Sequence, residues 1–155
     1  NAPANTQYAF MSQGKGGTIT LDGNTFNGYT RGINLERATA DFIITNNVIK
    51  SDCSEADRGA IQLTDGKSFV VTGNTVDVNA GNAFWFHNAA TNADVTYVIS
   101  DNDIKAPYIG YSGVTAFDVN TKITSSDNKF NNTDKTMCMK KEATVAEATN
   151  LTAIK

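Results

Sequence analysis

The stretch Phe69–Val76 reads FVVTGNTV, and near copies of it occur at DFIITNNVI (41–49) and TYVISDNDI (96–104). Each copy has apolar residues at alternating positions, then a small polar pair, then an Asn, and another apolar residue two positions after the Asn. Alternation with a period of two is typical of a strand that buries one face. The stretch therefore predicts a strand, a sharp bend and a second strand, repeated along the chain.

An Asn anchors each of five copies of this pattern, at intervals of 23, 27, 28 and 26 residues: Asn24, Asn47, Asn74, Asn102 and Asn128. Five residues before the anchors stand Ile19, Phe42, Phe69, Tyr97 and Ile123, and two residues after them stand Phe26, Ile49, Val76, Ile104 and Phe130. We predict that the Asn itself is the corner residue, because Asn tolerates left-handed backbone dihedrals. Stacked Asn side chains are also expected to bond to one another along the stacking axis.

A further apolar alternation lies between successive anchors, in GINLE (32–36), GAIQLTD (59–65), AFWFHN (83–88), TAFDVN (115–120) and TMCMKK (136–141). It predicts a third strand in every repeat. A period of roughly 22 to 28 residues is too short for a propeller blade, and the helical spacing of other repeat proteins is missing. The sequence therefore predicts an all-β fold, a single-stranded right-handed parallel β-helix of about five turns with three short strands per turn.

The length of 155 residues is suited to one hydrophobic core, so we expect a single domain over 1–155. Within it we predict an N-terminal segment (1–16), the coils (17–140) and a C-terminal cap or tail (141–155). Exposed strand edges at the ends of such a coil need cover, and residues 1–16 offer little. We therefore expect the chain to be part of a longer protein, either as a monomer or packed end to end with further coils or domains.

The stretches GINLERATADFIITNNVI (32–49) and GAIQLTDGKSFVVTGNTV (59–76) resemble the right-handed parallel β-helix superfamily. That superfamily includes pectate lyases and secreted or surface proteins of bacteria. The resemblance covers about residues 17 to 140 and implies the fold more than the function, since many activities share this scaffold. It also implies that an active site would lie on the outward face of the first strand of each turn.

The predicted outward rows on that face are Asn34, Gln62, Trp85, Asp118 and Cys138, followed two residues later by Glu36, Thr64, His87, Asn120 and Lys140. Lyases of the superfamily hold calcium with clustered acidic residues, but Glu36 and Asp118 are expected three turns apart, which is about 14 Å. The Gly-His-Gly segment and paired Asp residues of the polygalacturonase-like members are missing from the sequence. We therefore predict no catalytic residues, no metal site and no cofactor.

An outward Trp on a flat sheet can stack against a sugar ring while polar neighbours bond its hydroxyls. We accordingly predict a ligand-binding site formed by seven residues: Asn34, Glu36, Gln62, Trp85, His87, Asp118 and Asn120. The alternative is that the segment from Lys105 to Gly113 folds back over Trp85 and covers it.

The sequence favours a non-catalytic bacterial module, extracellular or on the cell surface, that binds or is associated with polysaccharide. One alternative is a polysaccharide lyase or glycoside hydrolase, or the inactive remnant of one. Another is a structural stalk or adhesin segment.

The charge pattern and the two cysteines narrow the possible partners. With a net charge of −3 and Lys and Arg dispersed along the sequence, the chain offers no concentrated positive patch, so nucleic acid is not an expected partner. No apolar stretch is long enough for a membrane span. Cys53 and Cys138 fit no metal-binding spacing, and both a disulfide and two separate thiols remain open. The acidic segment 50–58 is expected to be a solvated loop.

Overall fold

The structure, a computed structural model, describes residues 7–13, 16–35, 39–52, 58–86, 94–112, 119–131, 136–138 and 154–155. Its strands are β1 (Phe10–Ser12), β2 (Thr18–Asp22), β3 (Thr25–Tyr29), β4 (Ile33–Leu35), β5 (Asp41–Thr45), β6 (Val48–Ser51), β7 (Gly59–Leu63), β8 (Ser68–Thr72), β9 (Thr75–Val78), β10 (Asn82–Phe86), β11 (Thr96–Ser100), β12 (Asp103–Lys105), β13 (Tyr108–Ser112), β14 (Ile123–Ser126), β15 (Lys129–Phe130) and β16 (Thr136–Cys138). A short 3-10 helix spans Val119–Lys122.

These strands form three parallel sheets, and each strand pairs with its counterpart in the next turn. Sheet A has the order β1-β4-β7-β10-β13-β16, sheet B the order β2-β5-β8-β11-β14 and sheet C the order β3-β6-β9-β12-β15. The prediction of a parallel β-helix with three strands per turn is confirmed. From the first to the fifth strand of sheet B the chain completes about four turns, against the predicted count of about five.

The register of sheets B and C follows the apolar alternation of the sequence. The column Ile19, Phe42, Phe69, Tyr97 and Ile123 runs through sheet B in direct register. The column Phe26, Ile49, Val76, Ile104 and Phe130 does the same in sheet C. The inner members of both columns are buried in one continuous core, which confirms the predicted inward positions.

Aromatic rings stack along the axis inside the core. The ring of Phe69 lies 5.2 Å from that of Phe42 and 5.2 Å from that of Tyr97, with interplanar angles of 11° and 5°. Phe86 of sheet A meets Tyr97 edge-on at 5.1 Å. Offset stacked and edge-to-face pairs contribute about 0.5 to 1.5 kcal/mol beyond their burial, so this column holds successive turns in register.

The corner between sheets B and C consists of two consecutive residues in each turn, the anchor Asn and the residue before it, and they differ in backbone conformation. The left-handed conformation belongs to the residue before each anchor, with φ between 55° and 69°: Gly23, Asn46, Gly73, Asp101 and Asp127. The prediction that the anchor Asn adopts it was wrong. The side chain of the anchor is held instead by hydrogen bonds to main-chain and side-chain groups of adjacent turns. The residue before it is Gly, Asn or Asp, and these residues tolerate the left-handed conformation.

The predicted ladder of stacked Asn side chains is confirmed. Each of the first four anchors donates its main-chain N–H and its side-chain amide to the side-chain oxygen of the anchor in the next turn, over distances of 2.8 to 3.1 Å. The amides of Asn47, Asn74, Asn102 and Asn128 also donate to a carbonyl in the turn before. The ladder therefore satisfies polar groups at the corner that burial would otherwise leave unpaired.

One predicted strand is misplaced. TAFDVN (115–120) was expected in sheet A, but β13 occupies that place and pairs with both β10 and β16. Val119 and Asn120 lie in the 3-10 helix, and residues 113–118 lie outside the described residues. The Tyr-Ile-Gly-Tyr segment directly after Pro107 supplies strand-forming residues close to β12, so the chain returns to sheet A earlier than predicted.

The part of the chain that the structure describes contains no helix of the length and apolarity that a membrane crossing requires.

Candidate functional site

The predicted outward row on sheet A is only partly formed. Asn34 pairs in register with Gln62, and Gln62 with Trp85. Asn34 and Gln62 are each 1% exposed, and Trp85 is half-buried. The side chains of Asn34 and Gln62 therefore form a covered polar strip and present almost no surface to solvent.

Some polar atoms of this strip are hydrogen-bonded to described residues and others are not. Thr64 donates its hydroxyl to Oδ1 of Asn34 at 3.4 Å. The buried Nε2 of Gln62 has no acceptor among the described residues. The guanidinium of Arg58 lies 4.4 Å from the centre of the Trp85 ring, within the range of a cation–π contact. One face of Trp85 is thus engaged by Arg58.

The other residues of the predicted site do not join this strip. Tyr111 takes the register position expected for Asp118, because β13 replaces the predicted strand. Asn120 lies in the 3-10 helix, off the sheet. Cys138 pairs with Gly110 and so falls in the register of Phe84, one position away from the Trp85 row. Glu36, His87 and Asp118 lie outside the described residues.

A groove of about 300 Å³ lies on the outward face of sheet C, which we call the sheet C groove. Its lining residues are Asn27, Gly28, Lys50, Ser51, Asp52, Asp77, Asn79 and Lys105. The central row is in direct register, from Asn27 to Lys50, Asp77 and Lys105. Four successive turns therefore contribute one polar side chain each to the same row, at about 4.8 Å per turn.

The local sequence explains why these side chains line a concave surface. In each turn the row residue follows the Asn anchor by three positions, one after the inward apolar residue, so alternation turns it outward. Between Asn27 and Tyr29 the register shifts at a bulge, where Gly28 has φ 81°. Bulges bend a strand locally, and this one helps to shape the groove.

The sheet C groove is electrically balanced and rich in hydrogen-bonding groups. Nζ of Lys105 lies 3.4 Å from Oδ1 of Asp77, in an ion pair that is exposed to solvent. Lys50, Asp52 and Asn79 are also exposed at the rim. Two lysines and two aspartates leave no net charge in the lining. The arrangement can bond hydroxyl and amide groups, and its mixed charges disfavour a strongly charged ligand.

Sequence reasoning missed this groove. The signal was present as the polar residues three positions after Asn24, Asn47, Asn74 and Asn102. It was hard to read, because solvent-facing positions of any half-buried strand are polar.

Metal binding requires a convergence of ligand atoms, and the described residues do not provide it. No group of three or more His, Cys, Asp or Glu side chains lies together in the described ranges. In the sheet C groove, Asp52 and Asp77 are accompanied by two ammonium groups, which oppose the binding of a cation. The residues that the structure describes therefore do not fit a metal centre.

The fold defines the class: a parallel β-helix of three sheets with three strands per turn. The chain belongs to the NosD family, whose model matches residues 1–150 and is described as periplasmic copper-binding protein (NosD). This is a periplasmic family of right-handed parallel β-helix proteins.

No curated protein and no solved structure matches the chain with significant similarity.

Proposed function

We propose that the chain is a non-catalytic module of the bacterial cell envelope, extracellular or at the cell surface, that binds polysaccharide through the sheet C groove. The observation that carries this proposal is the row of exposed polar side chains, one from each of four turns, that lines the groove. This site replaces the Trp85 face as the proposed contact, because Asn34 and Gln62 are buried there.

The lining matches the chemistry of sugar hydroxyls. A hydroxyl donates to the carboxylate of Asp52 and accepts from the ammonium of Lys50, and the amides of Asn27 and Asn79 do both. Because the charges of the lining cancel, an uncharged glycan is the favoured ligand.

The affinity should be low. Exposed hydrogen bonds contribute about 1 kcal/mol each, so four of them correspond to a Kd of about 1 mM. The groove has no aromatic platform, and stacking adds nothing to this figure. Binding to a polymer with many repeats would raise the effective affinity through multiple engagement.

The test is a titration of the isotope-labelled protein with neutral hexasaccharides of glucose and of N-acetylglucosamine, followed by NMR of the backbone amides. Shifts should concentrate at Asn27, Lys50 and Asn79. Lys50→Ala should weaken binding at least threefold, whereas Lys67→Ala, an exposed lysine outside the groove, should leave it unchanged. Equal binding by both variants, or no shift with any glycan of the panel, would overturn the proposal.

Two further measurements separate the alternatives. Trp85→Ala should leave glycan binding intact. A loss of binding in this variant alone would show that the glycan binds at the Trp85 face of sheet A. Incubation with acidic polysaccharides should give no rise in the ultraviolet absorbance of unsaturated products. A rise that depends on protein concentration would show a lyase.

Copper binding is the second candidate, and the family membership favours it. The side chains of this chain with soft ligand atoms include Cys53, His87 and Cys138, which lie outside the described side chains. Thiolate and imidazole ligands suit copper. Titration of the reduced protein with Cu(I) against a competing chelator tests this candidate, and one bound equivalent that is lost on Cys138→Ser or His87→Ala would support it.

A further inference from the structure

The sheet C groove runs parallel to the axis of the β-helix, across the strands. We number the turns by their anchors, with Asn24 in turn 1. The central row forms one side of the groove, with one side chain from each of four turns. Asp52 and Asn79 form the opposite side, and they follow Ser51 and Val78, which pair in register. We call Asp52 and Asn79 the second row, and it stands about 6 to 7 Å from the central row, two residues further along each strand.

The floor between the two rows is main chain. Ser51 and Val78 separate the rows in turns 2 and 3, and each is only 3% exposed, so their side chains take up no space in the groove. In turn 1 the residue at the same distance from its anchor is Gly28, which has no side chain. The space between the rows therefore continues from one turn to the next along the axis.

The two middle turns of the groove offer the most hydrogen-bonding groups. Turns 2 and 3 each present a side chain on both sides of the floor, whereas turns 1 and 4 each present one side chain of the central row. The pairs are Lys50 with Asp52 in turn 2 and Asp77 with Asn79 in turn 3, and the single side chains are Asn27 in turn 1 and Lys105 in turn 4. A ligand unit in turn 2 or 3 can thus be bonded from two sides.

The ion pair between Lys105 and Asp77 leaves the central row open to a ligand. Its side chains are 69% and 38% exposed. An ion pair as exposed as this contributes little to stability, so a ligand hydroxyl can take the place of either partner at small cost.

We propose that the ligand of the sheet C groove is a single linear glycan chain that lies along the helix axis, with successive sugar units in successive turns and its best-held units in turns 2 and 3. This inference rests on the proposed function and adds the shape and the orientation of the ligand. The turns repeat at about 4.8 Å, which is close to the rise per unit of an extended β-linked glycan. At about 300 Å³ the groove is at the lower end of the range of ligand pockets, so it takes a short stretch of one chain.

The first test is the dependence of affinity on chain length, in whichever of the two glycan series binds in the hexasaccharide titration. The tetrasaccharide should bind at least about threefold more tightly than the disaccharide, because it adds contacts to Asn27 and Lys105. The hexasaccharide should gain less than about twofold over the tetrasaccharide, since its extra units extend beyond the central row.

The second test compares two exposed asparagines of the groove. Asn27→Ala should weaken binding of the tetrasaccharide by about fivefold and leave binding of the disaccharide unchanged, because the disaccharide lies in turns 2 and 3. Asn79→Ala is the matched control and should weaken both ligands by about fivefold, because Asn79 lies in turn 3.

The outcomes separate this inference from the proposed function. No binding in either glycan series would overturn the proposed function and this inference with it. Binding in the groove with equal affinity for the disaccharide and the tetrasaccharide would overturn the orientation along the axis and leave the proposed function standing. An equal loss for both ligands in Asn27→Ala would do the same.

Discussion

The side-chain oxygen of Asn74 accepts two hydrogen bonds from Asn47, one from its main-chain N–H and one from its side-chain amide, each 3.0 Å long. The amide of Asn74 in turn donates to the carbonyl of Ile44 at 2.9 Å. Asn47 and Asn74 are both buried. One side chain thus satisfies three polar groups of the neighbouring turn, and water has little access to replace it.

Asn74→Ala should therefore lower the free energy of unfolding by about 3 kcal/mol. The substitution leaves two buried donors of Asn47 without an acceptor, and each unsatisfied group costs about 1 to 3 kcal/mol before local relaxation. Urea denaturation followed by circular dichroism measures the change.

Asn24→Ala is the control for this prediction, because Oδ1 of Asn24 accepts nothing from the described residues and its surroundings are exposed. It should cost less than about 1 kcal/mol. Equal losses in the two variants would show that the stability of the ladder does not come from the buried acceptor.

The register of sheets B and C could be predicted because it follows the alternation of apolar residues in the sequence. Phe42, Phe69 and Tyr97 stand at the same distance from their anchors, and burial forces them into one column. The position of the left-handed residue could not be predicted in this way. At Asn46–Asn47 the two consecutive residues are chemically identical, and they differ in that the side chain of Asn47 is buried in the ladder, whereas Asn46 is exposed and turns the chain.

The site was harder to predict than the fold. Alternation placed Asn34, Gln62 and Trp85 in one row, which the strand register confirms, but it did not reveal that Asn34 and Gln62 are buried there. Concavity also depends on three-dimensional detail. The bulge at Gly28 helps to shape the sheet C groove, but it is not part of the sequence repeat, so the repeat could not predict it.

Gly66→Ala should lower the free energy of unfolding by about 1 to 3 kcal/mol. A Cβ atom at this position would lie 2.5 Å from Cζ of Phe69 and 2.9 Å from Cε2 of Phe42. Both rings are held in the aromatic stack, so they cannot retreat without losing contacts, and overpacking of this kind is destabilising.

A double-mutant cycle with Phe69→Leu tests the cause of that loss. The shorter side chain removes the atoms that clash, so Gly66→Ala should cost at least about 1 kcal/mol less in the Phe69→Leu background. If the costs of the two substitutions were additive, the destabilisation by Gly66→Ala would come from the backbone of residue 66 and not from the clash with Phe69.

Gly73→Ala should destabilise the protein more than Gly23→Ala. Both glycines have positive φ, 69° and 66°, and an alanine in the left-handed region costs about 1 to 2 kcal/mol. At Gly73 the added Cβ would also lie 2.8 Å from Oδ1 of Asn46, whereas nothing lies within 4 Å of it at Gly23. Thermal unfolding of the two variants measures the difference.

Gly23→Asn is the third member of this set and should cost less than Gly23→Ala, since Asn46 holds the same conformation at the equivalent corner one turn later. If Asn and Ala were equally costly at position 23, local backbone preference would not explain the choice of Gly, Asn and Asp at these corners.

The carboxylate of Asp22 gives the corner of the first turn a dependence on pH. It accepts hydrogen bonds from the Thr45 hydroxyl at 2.7 Å and from the Asn46 amide at 2.9 Å, and these bonds lower the pKa of Asp22. Because the folded-state pKa is lowered, the contribution to stability is present above the ordinary pKa of about 4 and is lost as the pH falls through the folded-state value.

The melting temperature of the unsubstituted protein should therefore fall more steeply below about pH 4 than that of Asp22→Asn. The effect should be small and should weaken with added salt, because the group is exposed. Parallel melting curves of the two proteins between pH 6 and pH 2 would contradict the role of Asp22.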